Sequence, residues 1–145
     1  MTKTGFLSIP VLLAALAAPI SSGPALASEQ PVWEAPAAAA KTPNPLELNK
    51  NSIAAGKKVF DVQCFVCHGT GGKGDGPAAP GLQRKLPDFT DSSLWEQADG
   101  TLFWKISQGK APMPTFETIL SETDRWNVIN FLRSLSENPK QEDAE

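Results

Sequence analysis

Three stretches of the chain repeat apolar residues at helical spacing, and the ground between the first two does not. Over residues 51–69, Ile53, Gly56 or Lys57, Phe60 and Cys64 share a face, with Asn51 or Ser52 as the expected N-cap and Gly69 as the stop. Over 99–109, Leu102, Phe103 and Ile106 fall together between Asp99 as cap and Gly109 as terminator. The clearest helix is 121–135, where Val128, Leu132 and Leu135 recur at i, i+4, i+7 with Phe131 beside them. Ser121 and Asp124 form a near capping box there. Acidic residues fill the first turn, where the helix dipole favours them, and Arg133 lies near the other end. The stretch "GTGGKGDGPAAPGLQRKLPDF" holds too much Gly and Pro for a helix or central strand, and no alternating run is long enough for a convincing strand. The expectation is an all-α domain of three to five helices with long loops.

The chain ends change how much of its 145 residues can fold. "MTKTGF", the apolar "LSIPVLLAALAAPI" and "SSGPALA" read as a signal peptide over 1–27, cut after Ala27, which directs export to the periplasm. The apolar run is broken by Pro10 and Pro19, so no membrane span is expected once the peptide is removed. Residues 28–48 are rich in Pro and Ala and read as an extended tether carrying Trp33; 137–145 read as a polar tail. The folded domain is then 49–136, a core small enough to need a disulfide, a metal or a cofactor. With 13 Lys+Arg against 16 Asp+Glu, composition offers no case for nucleic acid as a partner.

Both cysteines and the single histidine fall within five positions, Cys64, Cys67 and His68. A Cys-x-x-Cys pair can form a local disulfide or a thioredoxin-like redox couple, but that couple usually occupies a βαβ junction, which is lacking here. A structural zinc site needs four ligands, and this cluster supplies three. Cys-x-x-Cys-His is also the pattern of covalent haem attachment. Its spacing lets two thioethers hold the porphyrin edge while the next imidazole reaches the iron from the same turn. A second axial ligand must then come from elsewhere. Past the signal peptide there is one methionine, Met113, in "GKAPMPTF". It lies outside any helical apolar period, between two prolines that stiffen its loop, as an iron ligand would require. Met/His ligation gives a closed site suited to electron transfer; an open face permits oxygen or peroxide chemistry.

With these motifs in order, the chain resembles the class I c-type cytochromes of the small bacterial monohaem branch. The likeness runs through "SIAAGKKVF", "CFVCHGTGGKGDGP", "PDFTD", "DGTLFWKISQG", "PMPTF" and "LSETDRWNVINFLRSL" over about residues 43–136. The resemblance implies a cytochrome c fold around one covalent haem c, tethered at Cys64 and Cys67 and ligated by His68 and Met113. It implies that Gly56 and Phe60 of the first helix cross Val128 and Phe131 of the last. It implies that a proline carbonyl after the haem motif, assigned to Pro80 over Pro77, accepts a hydrogen bond from His68, and that Leu82 and Phe116 pack near the haem. Asp75 is read as a turn residue, and the loop glycines as backbone close to the macrocycle. Arg84, Trp95 and Trp104 are the candidates for the haem propionates; the tyrosine that relatives often use is absent. The expected function is a periplasmic one-electron carrier and not an enzyme, docking redox protein partners of unnamed identity. The alternatives are an open-site haem catalyst or gas sensor, a haem-free thiol–disulfide exchanger, and a dedicated cytochrome subunit of a larger oxidoreductase complex.

Overall fold

The computed structural model describes Met1 and residues 33–136; the expected signal peptide, the start of the tether and the polar tail lie outside the described residues. The fold is all-α. Four helices follow in order, α1 Lys50–Gln63, α2 Phe65–His68, α3 Asp99–Gln108 and α4 Glu122–Leu135, with single 3-10 turns at Ala39–Lys41, Ala79–Gly81 and Ser92–Glu96. Among the described residues, strand pairing is confined to one isolated bridge between Lys110 and Met113. None of the described helices is long and apolar enough to cross a membrane.

The frame is the crossing of α1 on α4. Gly56 makes it possible, because a Cβ there would run into the Asn127 carbonyl and stand 2.9 Å from Phe131 Cβ. One turn on, Phe60 is 1% exposed and its ring lies 5.1 Å from that of Phe131. The residues expected at the crossing are therefore there, with the Asn127 backbone nearer to Gly56 than Val128. α3 closes the core with Leu102, while Trp126 of α4 stacks on Phe103 at 3.9 Å. α4 is buried from Arg125 to Arg133, all round its circumference. Its polar residues there need partners. Arg133 donates to the Leu94 and Gln97 carbonyls and pairs with Asp99 at 2.7 Å, its guanidinium lying over Trp95.

Several local expectations change in the structure. α1 is capped by Asn49, not Asn51 or Ser52. The Asn49 side chain accepts from the amides of Asn51 and Ser52, and Ser52 Oγ accepts from the Asn49 amide, closing a capping box one turn earlier. The helix expected through 68 breaks at Cys64, where φ falls to −114°, and α2 restarts on its carbonyl. Asp99 opens α3 as its first residue, with Ala98 as cap, because its carboxylate is engaged by Arg133. Gly69, Gly109 and Ser121 do terminate or cap their helices as expected.

The greatest departure lies in the segment read as an extended tether. From Trp33 to Leu48 the chain folds onto the domain. Gly100 lies against the carbonyls of Ala39 and Thr42, and Lys105 Nζ is 5.8 Å from the Trp33 ring centre. The Asn44 amide donates to Asn130 Oδ1 at 2.9 Å and the Trp126 carbonyl, while Asn130 donates to the Glu47 carbonyl and Ser52 Oγ. Asn130, 2% exposed on α4, is thus satisfied by the segment that would have been free.

Candidate haem site

The attachment turn is built on the broken end of α1. Cys64 caps α1 with its amide on the Phe60 carbonyl, and its own carbonyl accepts from Cys67 and His68. That geometry places Cys64, Cys67 and His68 on one tight turn. Both cysteines are free thiols and half-buried. Burial first, and the neighbouring Cys67 second, push the Cys64 thiol up to about 12. A thiol–disulfide exchanger needs the opposite shift, toward a ready thiolate. Among the described residues no group of three or more His, Cys, Asp and Glu converges as a metal site, which leaves the zinc reading without its ligands.

The glycine loop is pinned along this turn. The Gly74 amide donates to the His68 carbonyl (2.9 Å), Gly76 to Cys67 (3.1 Å) and Ala78 to Val66 (2.8 Å), so the loop runs back antiparallel to α2. Its emptiness serves protein packing as well as any macrocycle. Gly72, at φ +73°, accepts at its carbonyl from the Phe89 amide (2.7 Å), and a Cβ there would stand 2.7 Å from Leu135.

That register also sets where Pro80, the expected partner of His68, lies along the loop. His68 Nδ1 is buried and has no hydrogen-bond partner among the described residues. Pairing at 74–68, 76–67 and 78–66 carries the chain away from His68, and Pro80 falls beyond Val66 in an exposed 3-10 turn. Pro77, next to Gly76, is the proline beside the attachment turn. What touches the imidazole instead is Phe89, whose ring stacks on His68 with centres 4.8 Å apart and planes at 27°. In the sequence Phe89 is marked by its place in "PDFTD", a motif between turn residues. Burial lowers the His68 pKa and so favours the neutral imidazole, the form that ligates a metal.

Met113 lies in a closed turn after α3. Lys110 and Met113 exchange amide-to-carbonyl bonds of 3.1 and 2.9 Å, and the Ala111–Pro112 peptide is cis. The Phe116 and Glu117 amides then donate back to the Ile106 and Ser107 carbonyls, fastening the turn to α3. Met113 is half-buried and Phe116 is 4% exposed. Leu82 is half-buried and outside the main hydrophobic cluster. Of the propionate candidates, Trp95 is already engaged: its indole N–H donates to the Ser136 carbonyl at 3.3 Å. Arg84 and Trp104 make no hydrogen bond among the described residues and stay half-buried. Asp75 is exposed beside Gly69, in the link just before the turn at 77–78.

Two free thiols, a neutral imidazole on the same turn and a stapled methionine loop fit a covalently held haem. The sequence matches the cytochrome c family over residues 53–136. This chain belongs to that family and is a class I c-type cytochrome, a haem protein of electron transfer. It is 30% identical over 91 residues to cytochrome c6 of Picosynechococcus, covering 60% of this chain and 76% of that one. Against cytochrome c6 of Euglena viridis the identity is 27% over 85 residues, covering 59% and 94%. Among solved structures it resembles a chain of the Kuenenia stuttgartiensis reducing HAO-like protein complex Kustc0457/Kustc0458, at 30% identity and TM-score 0.57 over 64% of this chain. It spans 47% of that longer chain. The KustC0563 c-type cytochrome shares the fold at 21% identity and TM-score 0.50, covering 57% of this chain and 98% of that one.

Proposed function

We propose that the chain is a periplasmic one-electron carrier holding one haem c through Cys64 and Cys67, with His68 and Met113 as axial ligands. The haem supplies the one-electron couple between Fe(III) and Fe(II). The protein's part is to fix the ligands and exclude water. The observation that carries the reading is the Met113 turn, closed on Lys110 and fastened to α3, which holds a thioether at little ordering cost. Leu82 and Phe116 supply apolar cover, and Arg84 and Trp104 have donors left for the propionates. Val62 and Val66, 69% and 42% exposed, bring apolar surface to the attachment turn. Such surface suits the weak, brief docking of a redox protein partner. Export by the 1–27 signal peptide would place the chain where such partners act.

Met113→Ala is expected to remove the weak far-red charge-transfer band that a methionine–iron bond gives the oxidised protein. An unchanged band takes Met113 out of the role. Rapid, complete carbon monoxide binding by the reduced native protein would overturn the closed-site carrier in favour of the open-site catalyst or sensor.

A second reading, as a dedicated subunit of a larger oxidoreductase, draws on the likeness to a longer chain of the HAO-like complex. Sizing the protein from its native periplasm separates the two: a free carrier elutes at the mass of one chain, a subunit with its complex.

A further inference from the structure

Axial histidines are ordinarily held by a hydrogen bond at the nitrogen that does not face the metal. Among the described residues His68 Nδ1 is buried without a partner. The ring is nevertheless held on one face. Phe89 stacks on it at 4.8 Å and 27°, and Phe89 is itself fixed from three sides. Its amide donates to the Gly72 carbonyl at 2.7 Å, and its Cβ would lie 3.3 Å from any Cβ added at Gly72. Its ring meets Phe60 edge-on at 6.5 Å, and Phe60 is fully packed against Phe131. Its backbone belongs to a turn in which Asp88 accepts from the Thr90 amide and hydroxyl, and the Asp91 amide reaches the Asp88 carbonyl. A rigid aromatic face backed by the α1–α4 crossing can set the plane of an imidazole, because tilting the ring would open a gap against close-packed neighbours.

We propose that Phe89 is a positioning residue for His68: stacking on the Phe89 ring fixes the plane of the axial imidazole and shields it from water. The proposal rests on His68 being an iron ligand. It makes "PDFTD" a clamp on the haem ligand, carried through the loop by Gly72 and through the core by Phe60.

The test uses full-chain holoprotein. Phe89→Leu keeps apolar bulk and loses the flat face; Phe89→Tyr keeps both. Ile129→Ala removes buried volume from α4 and serves as the control for lost stability. Phe89→Leu is expected to alter the low-spin g-values and the spread of haem-methyl proton shifts in the oxidised protein, and to lower the reduction potential as water reaches the imidazole. Phe89→Tyr should keep the native pattern, and Ile129→Ala should lower the melting temperature while keeping it. Native g-values and methyl shifts in Phe89→Leu, or the same change in Ile129→Ala, would overturn the role. If Phe89→Leu fails to accumulate, the reduced native protein decides, because proton–proton Overhauser contacts between the His68 and Phe89 rings must be present. Their absence overturns the proposal. A native protein lacking a six-coordinate low-spin spectrum fails at the ligation itself, which is a different failure from unchanged spectra in Phe89→Leu.

Discussion

Asp88 is fully exposed, yet its carboxylate accepts from the Thr90 hydroxyl at 2.6 Å and the Thr90 amide at 2.9 Å. These bonds, the hydroxyl's first, hold its pKa below the ordinary carboxylate value, with Lys73 and Lys85 adding smaller pulls. A folded-state pKa below the unfolded one means stability that is present above the unfolded value and lost as pH falls through the folded one. In the holoprotein, Asp88→Asn is expected to flatten the loss of melting temperature on acidification below about pH 4. An acid limb as steep as the native one would remove Asp88 from it. Single residues also divide by legibility. Cys64, Cys67 and His68 announce themselves by spacing, since the chemistry is local to one turn. Phe89 does not, because its partner is 21 residues back and meets it only through the folded loop.

Between α1 and α4 the decisive contact is the absence of a side chain. Gly56→Ala would push a methyl into the Asn127 carbonyl and Phe131, and backbone cannot yield as a side-chain tip can. The expected cost is about 1–3 kcal/mol in denaturant unfolding of the holoprotein; a change near zero would mean that the helices separate freely. Asn130 plays the matching part for the segment 33–48. Asn130→Ala leaves the Asn44 amide with the Trp126 carbonyl alone and removes donors from the Glu47 carbonyl and Ser52 Oγ, at about 1–3 kcal/mol. Faster proteolysis before residue 49 should accompany it, and unchanged cleavage would show the segment held by other contacts. At this scale the helices were legible because amphipathic period and capping are local. The docking of 33–48 was not. Proline and alanine reveal no face of their own, and the amide that holds them is 86 residues away.

For the molecule as a whole, the core is modest: a cluster of eight buried side chains centred on Phe60, Trp126, Ile129 and Phe131. Covalent haem would add a large apolar body to that cluster. With both proposed tethers replaced, Cys64→Ala/Cys67→Ala, the chain is expected to lose its cooperative thermal transition by circular dichroism. A sharp transition without haem would show that the helices and the docked segment suffice. The all-α class, the helix order and the Cys-x-x-Cys-His turn came from the sequence alone, because each rests on residues within a few positions of one another. Only tertiary structure decided that Phe89 stacks on His68, how the glycine loop pairs with the turn at 64–68 and where residues 33–48 lie. Those depend on loop register and on buried partners far apart in sequence, which packing brings together and local pattern does not encode.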